Sequence, residues 1–190
     1  MSNLLEIEHL SKDYGSFRLD DVSLTIPGGT IMGLIGENSA GKSTTIKCIL
    51  NLIRRDGGNI RVFGLDNLSQ EREVKAQIGV VLDECTFHST LRAQEVGRIL
   101  SKLYPSWDAP LFSQYLEKFS LPERKHIKEY SKGMKTKLSI AAALSARPRL
   151  LILDEATSGL DPVIRDEILD EFLNFIQDEE HAILISSHIT

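Results

Sequence analysis

Residues 36–43 combine glycine, lysine and a hydroxyl side chain at a spacing that suits phosphate. Gly36 and Gly41 are separated by four residues, and Lys42 and Ser43 follow directly. Glycines let successive backbone N–H groups turn inward around a phosphate, lysine reaches the terminal phosphates, and a serine hydroxyl binds magnesium. The spacing therefore predicts a site for a nucleoside triphosphate and Mg²⁺. An ordinary glycine turn before a helix is the alternative. The predicted nucleotide-binding residues of this segment are Gly36, Glu37, Asn38, Ser39, Ala40, Gly41, Lys42, Ser43 and Thr44.

A pair of acidic residues is the second group of candidates. Asp154 and Glu155 directly follow residues 150–153, an apolar run that predicts a buried strand. Ligands collect at the C-terminal ends of parallel strands, so we expect both acids beside the phosphates. Asp154 would hold Mg²⁺, usually through water, and Glu155 would polarise the attacking water. A solvated strand end followed by a turn is the alternative.

One histidine has a matching position. His188 follows the apolar residues 182–187, so we expect its side chain at the same sheet edge as Glu155. From there it could donate a hydrogen bond to the γ-phosphate. The other histidines are interpreted as structural, and they are His9, His88, His126 and His181.

The phosphate-binding segment needs a strand before it and a helix after it. Residues 31–35 predict a buried strand and residues 44–50 predict a helix, so the required order is present. Upstream, residues 5–10 and 22–26 alternate as half-buried strands do.

A small sheet is predicted beside the nucleotide site. Residues 56–59 predict a turn and residues 60–64 a short strand. Together with the two upstream strands they would form a partly antiparallel sheet.

The remainder of the chain predicts helices and then a return to buried strands. Residues 91–103 and 111–119 have helical patterns, and the prolines between and after them are read as breaks. Residues 163–177 predict an amphipathic helix, lying between strands at 149–153 and 182–187. The breaking prolines are Pro105, Pro110 and Pro122, and the residues expected on the inner face of the amphipathic helix are Ile164, Ile168, Phe172 and Phe175.

Alternating strands and helices predict an α/β fold with a parallel sheet that is covered on both faces. The predicted fold class is a P-loop NTPase with a mostly parallel sheet core, a small antiparallel β subdomain and a helical subdomain. Residues 1–190 are expected to form one domain. Within it, residues 1–82 and 147–190 would form the nucleotide-binding core with the β subdomain, and residues 83–146 the helical subdomain.

Composition excludes several classes of function. The 190 residues contain 22 Lys and Arg against 27 Asp and Glu, a net charge of −5, which argues against nucleic acid as the main partner. No apolar run approaches the length of about 20 residues that spans a bilayer, and the N-terminus does not resemble a signal peptide, so we expect a cytoplasmic protein. Cys48 and Cys85 lack metal-ligand or redox spacing, and no chemistry is assigned to them.

Taken together, five segments occur in an order that resembles the nucleotide-binding domain of ATP-binding cassette (ABC) transporters. These segments are residues 36–43, 130–134, 150–155, 158–161 and 187–188, and the resemblance extends over nearly the whole chain. It implies that Tyr14 stacks on adenine. The alternative is that Tyr14 is an aromatic residue on the surface of a strand. It also aligns Asp83 with a glutamine near Mg²⁺, so Asp83 joins Ser43 and Asp154 as a candidate metal ligand.

The resemblance further implies a site shared between two subunits. The signature segment, usually Leu-Ser-Gly-Gly-Gln, reads Tyr-Ser-Lys-Gly-Met here, and in the family it touches the γ-phosphate of ATP held by a partner. Its candidate residues in this chain are Ser131, Lys132, Gly133 and Met134. Asp161 resembles the residue that couples the two sites across the dimer. Simple helix caps at Ser131 and Asp161 are the alternatives.

Several positions depart from the family pattern. Ser39 replaces a glycine of the loop, which is tolerated if its φ is negative. Lys132 and Met134 would reshape the signature contacts, and Asp83 adds negative charge near the phosphates. Relatives continue past the histidine with another helix and more strands, so the resemblance implies a C-terminally truncated chain.

The function implied is that of the ATP-hydrolysing subunit of an ABC transporter, of the bacterial exporter (ABC-2-like) type. It would use ATP and Mg²⁺, pair head to tail with a second ATPase subunit, and drive a separate membrane-spanning subunit from the inner face of the membrane, with no nucleic acid partner. A soluble ABC-type ATPase that acts on ribosomes or DNA is one alternative, and a nucleotide-binding regulatory module is another. A GTPase is disfavoured because no Asn-Lys-x-Asp segment is present.

Overall fold

A computed structural model gives the architecture and describes residues 2–37 and 41–187. In chain order the strands are β1 (Asn3–Asp13), β2 (Arg18–Pro27), β3 (Thr30–Ile35), β4 (Gly57–Val62), β5 (Leu65–Asp66), β6 (Ile78–Leu82), β7 (Leu150–Asp154) and β8 (Ala182–Ser187). The α-helices are α1 (Lys42–Ile49), α2 (Glu71–Lys75), α3 (Ala93–Leu103), α4 (Ala109–Lys118), α5 (Lys132–Ser145) and α6 (Pro162–Phe175), and a short 3-10 helix spans Ile127–Glu129.

The first sheet is parallel, with strand order β3-β8-β7-β6. Four successive residues of β7 are completely buried because the strand is covered on both faces. Leu150 and Ile152 pack in one apolar cluster with α1 and the second sheet, whereas Leu151 and Leu153 pack in another with α5 and α6. The predicted strands, their parallel pairing and their two covered faces are confirmed for the centre of this sheet.

Strand β3 differs from the sequence expectation. Residues 31–35 were expected to be buried, yet the side chains of Ile31 and Ile35 are 37% and 68% exposed, and those of Met32 and Leu34 are half-buried. The expectation of a buried strand is wrong here. Among the described strands, β3 lies at the edge of its sheet. An apolar run alone does not distinguish an edge strand from a central one.

The second sheet is antiparallel, with strand order β2-β1-β4-β5, as the sequence predicted. The predicted turn at residues 56–59 is wrong, because β4 begins at Gly57. Gly58 has φ +84°, and the pairing of β1 with β4 shifts register between Glu8 and Ser11. The extra residue of this β-bulge lies on β1, where His9 and Leu10 face Gly58 alone. The glycines therefore lie within the sheet opposite the bulge, and not in a turn before it.

The helices between β6 and β7 agree with the predicted patterns, with one correction. Pro110 was read as a break, but it lies in the first turn of α4, where its missing N–H is tolerated. Asp108 caps this helix by accepting a hydrogen bond of 2.8 Å from the Leu111 N–H.

Within residues 2–37 and 41–187, no helix has the length and apolar character required to cross a bilayer.

Helix α6 buries the face that its periodicity predicted. Ile168 and Phe172 are completely buried, and Ile164 and Phe175 are partly buried against the same cluster. Since this cluster includes Leu151 and other residues of the sheet, α6 holds the chain close to β7 on the way to β8.

The bulge opposite Gly58 gives a prediction about stability. A Cβ at this position would lie 2.4 Å from the carbonyl oxygen of His9, whereas a Cβ at Gly64, which has φ +77°, would meet nothing within 4 Å. Gly64→Ala therefore tests left-handed strain alone, and we expect it to lower the free energy of unfolding by about 1–2 kcal/mol. Gly58→Ala adds a backbone clash and should cost about 3 kcal/mol or more. Urea unfolding of both variants measures the difference, and equal losses would contradict the assigned bulge.

Candidate functional site

The register of the parallel sheet brings the ends of its strands into one row. Asp154 pairs with Leu82 on one side and with Ser186 on the other, and Ser186 pairs in turn with Leu34. Parallel strands end at the same edge, so the loops that leave β3, β7 and β6 meet there. The sheet thus places Glu155 beside the segment that begins at Gly36.

Lys42 is the first residue of α1, and its side chain is buried at this edge. Its Nζ donates hydrogen bonds to the carbonyl oxygens of Gly36 (2.7 Å) and Glu37 (2.9 Å). The same Nζ lies 3.9 Å from Oε1 of Glu155. A buried ammonium is stable only with such partners. The arrangement fixes one positive charge at the start of a helix, where the helix dipole also favours an anion.

Gly41 explains why the chain can turn tightly into α1. It has φ +88° and lies directly before the helix, and Thr45 N–H donates to its carbonyl oxygen over 2.9 Å. A Cβ here would lie 2.7 Å from Cδ1 of Leu19 and 3.2 Å from Cζ of Phe17. Glycine is therefore needed both for the backbone conformation and for the close approach of β2.

Asp154 and Glu155 are linked by a serine that the sequence analysis did not single out. Ser186 Oγ donates to Asp154 Oδ1 over 2.6 Å and accepts a hydrogen bond of 3.0 Å from the Glu155 N–H. Ser43 Oγ donates to the same Asp154 oxygen over 3.3 Å. Ser186 is buried, and the signal that could have identified it is a hydroxyl at the end of an apolar strand. One serine therefore orients the Asp154 carboxylate and anchors the backbone of Glu155.

The donor atoms around Asp154 suit magnesium. In the part of the chain that the structure describes, no group of three or more His, Cys, Asp or Glu side chains could hold a metal ion by itself. Mg²⁺ rarely needs such a group, because it commonly takes one or two carboxylates, waters and the phosphates of a substrate. Ser43 and Asp154 therefore fit this ion through one hydroxyl and one carboxylate.

Glu155 leaves the strand in a left-handed conformation, with φ +53°. Ser158 N–H donates to its carbonyl oxygen over 3.0 Å, which closes a turn directly after β7. A non-glycine residue in this region costs about 1 kcal/mol or more, and such residues often lie at functional sites. The turn leaves the carboxylate close enough to Lys42 for their 3.9 Å ion pair.

A cavity of about 630 Å³ opens at this edge and extends along α1. It contains lysine, hydroxyl and carboxylate groups near Lys42 and apolar side chains near Leu50 and Leu52. Helix α1 has eight residues, so these two parts lie about 12 Å apart. Its lining residues are Phe17, Gly41, Lys42, Ser43, Thr44, Ile46, Lys47, Leu50, Leu52, Leu82, Asp83, Glu84, Asp154 and Glu155. The volume and the division between polar and apolar lining suit a nucleotide.

The aromatic side chain among the described lining residues is Phe17, which the sequence analysis missed. Tyr14, the predicted partner of adenine, is 49% exposed, and its ring centre is 6.5 Å from that of Phe17. Lys12 Nζ lies 5.5 Å from the Tyr14 ring centre. The signal for Phe17 was a second aromatic residue in the short connection between β1 and β2. Stacking by Tyr14 stays a prediction.

The signature segment leads into α5, and none of its residues is among the described lining residues of the cavity. Ser131 caps the helix, because its Oγ accepts a hydrogen bond of 3.2 Å from Met134 N–H. A Cβ on Gly133 would lie 2.4 Å from Cδ1 of Ile164, so the glycine permits close packing of α5 on α6. The capping alternative is therefore realised at Ser131, and Gly133 has a packing role within the chain.

Asp161 has the same capping geometry at α6. Its carboxylate accepts hydrogen bonds from the N–H groups of Val163 (2.9 Å) and Ile164 (3.2 Å). A capping role does not test the predicted coupling role. Four further predicted site residues, Asn38, Ser39, Ala40 and His188, lie outside the described residues.

Asp83 lies at the rim of the cavity, where the resemblance placed it, but it has a partner that was not foreseen. Its Oδ1 is 3.1 Å from Nζ of Lys132, a residue of the signature segment. The structure thus joins two of the positions that depart from the family pattern.

The cysteines provide no comparable site, and burial raises the pKa of the Cys48 thiol, which disfavours a reactive thiolate.

Comparisons with known proteins agree with this geometry. The family model described as "ABC transporter" matches residues 19–158. The ABC transporter ATP-binding protein YtrB of Bacillus subtilis (strain 168) is 34% identical over 186 residues, covering 97% of this chain and 63% of that protein. The bacitracin transport ATP-binding protein BcrA of Enterococcus faecalis is 35% identical over 192 residues, covering 100% of this chain and 62% of that protein. The chain spans less than two thirds of the length of either relative.

A solved structure of an ATP-binding subunit of an ABC transporter has the same fold. It superposes with a TM-score of 0.85 at 30% sequence identity, covering 98% of this chain and 80% of that one. The predicted fold class, a P-loop α/β domain with an antiparallel sheet and additional helices, is confirmed.

The position of Phe17 yields a prediction about the base-binding end of the cavity. Phe17→Ala should weaken ATP binding about tenfold, because stacking of a base on an aromatic ring contributes about 1–3 kcal/mol. Binding of tripolyphosphate, which has no base, should not change. Isothermal titration of both ligands measures this, and Tyr14→Ala is titrated beside it to compare the two aromatic residues. A loss in Tyr14→Ala together with unchanged ATP binding by Phe17→Ala would show that the base contacts Tyr14 and not Phe17.

Proposed function

This chain belongs to the ABC transporter family, and from that premise we propose that it binds and hydrolyses ATP to power a separate membrane-spanning subunit. The observation that carries the proposal is the meeting of Lys42, Ser43, Asp154 and Glu155 at one sheet edge. Phosphoryl transfer to water requires a phosphate-binding lysine, a hydroxyl and two carboxylates with different partners. Residues 1–190 would form one ATPase domain.

Each group at the edge has its own task in the proposed reaction. The buried Lys42 ammonium binds the terminal phosphates, and the N-terminus of α1 adds backbone N–H groups. Ser43 and Asp154 would hold Mg²⁺, which supplies neutralisation of phosphate charge when it is bound. Glu155 orients the attacking water and accepts its proton, while ATP is converted to ADP and phosphate. Ser186 orients the Asp154 carboxylate and holds the backbone of Glu155.

The base would lie beside the connection between β1 and β2. Phe17 of that connection lines the cavity next to Gly41, where an added Cβ would lie 3.2 Å from its Cζ, and the stacking role of Tyr14 is proposed with it. The phosphates would extend from there to Gly36 and Lys42. The proposed phosphate-binding segment also includes Asn38, Ser39 and Ala40, and His188 is proposed to contact the γ-phosphate.

We propose that two ATPase subunits associate head to tail around ATP. Among the described residues, the lining of the cavity includes none of the signature residues Ser131, Lys132, Gly133 and Met134, although Lys132 contacts Asp83 of that lining. We therefore propose that the segment acts on a partner's nucleotide. Asp161 caps α6, the helix that packs against Gly133 of the signature segment. We propose that Asp161 couples the two nucleotide sites of the dimer through this contact. The membrane subunit would hold this dimer at the inner face of the membrane. The similarity to a bacitracin transport ATP-binding protein favours a role in transport.

Replacement of Glu155 tests the catalytic proposal. Glu155→Gln keeps the size of the side chain but cannot accept the proton of water, so we expect ATP turnover to fall at least about 100-fold. Nucleotide affinity should stay within a few-fold of wild type, because Lys42 retains its two carbonyl partners. Phosphate release and nucleotide titration measure the two quantities. Glu8→Gln, on the exposed part of β1, is the matched control. Unchanged turnover in Glu155→Gln would contradict the assignment.

The same variant also reports on the proposed pairing of subunits. With ATP and Mg²⁺ it should accumulate as a species of twice the chain mass in light scattering, and with ADP it should be monomeric. A single-chain mass with both nucleotides would contradict the head-to-tail dimer while leaving the catalytic assignment to the turnover measurement.

A further inference from the structure

The contact between Asp83 and Lys132 joins two elements that are distant in sequence. Asp83 directly follows β6 at the edge of the parallel sheet, and Lys132 is the first residue of α5. Their charged groups are 3.1 Å apart. Asp83 lines the nucleotide cavity and also an adjoining cavity of about 470 Å³, which Lys132 and Lys135 line as well. The ion pair therefore lies on the boundary between the two cavities.

The ion pair matters because the nucleotide cavity has an excess of negative charge. Among the described residues, the lining contains two more carboxylates than lysines, although it has to accept a polyphosphate. The carboxylates are Asp83, Glu84, Asp154 and Glu155, and the lysines are Lys42 and Lys47. Glu155 pairs with Lys42, and Asp154 accepts hydrogen bonds from two serines. Asp83 obtains its positive partner from outside the lining, through Lys132.

Lys132 also reaches the loop that follows β7. A Cβ added to Gly159 would lie 3.6 Å from Lys132 Nζ, so the ammonium is close to this loop as well. Gly159 precedes Asp161, the cap of α6. A single lysine at the N-terminus of α5 is therefore adjacent to the loops that leave two neighbouring strands of the sheet edge.

We propose that Lys132 is a positioning residue for nucleotide binding within its own chain, because it neutralises Asp83 at the rim of the cavity. Without this partner, the Asp83 carboxylate would repel the phosphates of the ligand. The proposal rests on the proposed function of the cavity. It also assigns Asp83 a lysine partner in place of the metal-ligand role that the resemblance implied.

The expected loss of nucleotide affinity depends on how far solvent reaches the two charged side chains. The side chains of Lys132 and Asp83 are 53% and 47% exposed, so solvent weakens their mutual attraction. Exposed ion pairs typically change an equilibrium about two- to fivefold. The repulsion grows with the charge of the ligand, so the loss on removing Lys132 should be greatest for ATP, smaller for ADP and smallest for AMP. A purely structural contribution of Lys132 would affect the three nucleotides equally.

A double-mutant cycle tests the proposal in the chain as it exists. Lys132→Met should weaken ATP binding about two- to fivefold in titration with Mg²⁺, whereas Lys132→Arg should bind as wild type does. Adding Asp83→Asn to Lys132→Met should restore the affinity, because the uncompensated carboxylate is then removed. Raised salt should reduce the difference between wild type and Lys132→Met. Thermal unfolding of each variant verifies that it is folded.

Lys135→Met is the matched control, because it removes the same charge from the same helix beside the same adjoining cavity. We expect it to bind ATP with nearly wild-type affinity. An equal loss in Lys135→Met and Lys132→Met, or no recovery in the double variant, would overturn the proposal, while wild-type binding of ATP would uphold the proposed nucleotide-binding role of the cavity. A wild-type chain that does not bind ATP would overturn both.

Discussion

The site depends on the register of four parallel strands. Only one alignment of β8 between β3 and β7 places Ser186 level with Asp154 and Leu34. A slip by one residue would turn every side chain of a strand to the opposite face. Ser186 would then lose both acids, and Glu155 would no longer lie beside Lys42. The chemistry of the cavity is therefore determined first by strand pairing and only then by the identity of its polar groups.

Burial of β7 enforces that register. Leu150 and Ile152 face one apolar cluster while Leu151 and Leu153 face the other, and all four are completely buried. Burying one such side chain contributes about 1.5–3 kcal/mol, whereas a typical hydrogen bond contributes about 1 kcal/mol net. The apolar residues thus outweigh the polar contacts at the edge, and they hold Asp154 and Glu155 in place before any ligand is bound. The strained turn at Glu155 is tolerated because the strand before it is so firmly packed.

The sequence predicted features that depend on residues close together in the chain, and it missed features that depend on contacts between remote residues. The phosphate-binding segment and the acids after β7 were identified because each is a local pattern whose spacing carries a physical meaning. Ser186 and Phe17 were missed because their importance lies in contacts with residues that are remote in sequence. The same holds for Gly58, which resembles a turn residue until its strand pairs with β1, and for Ile31 and Ile35, whose exposure depends on the position of β3 in the sheet. Residue roles that need a second subunit are visible in neither the pattern nor the single chain, so they stand as proposals.

The central claim is that this sheet edge is a triphosphate site centred on the buried Lys42. Titration calorimetry of ATP with Mg²⁺ into the wild-type chain and into Lys42→Ala tests it most directly, with unfolding measured for both. The account predicts saturable binding of one ATP per chain in the wild type and no measurable binding in the folded variant, because the carbonyl groups of Gly36 and Glu37 would then face the phosphates without the intervening ammonium. Equal affinity in the two proteins would contradict it, as would a folded wild-type chain that binds no ATP.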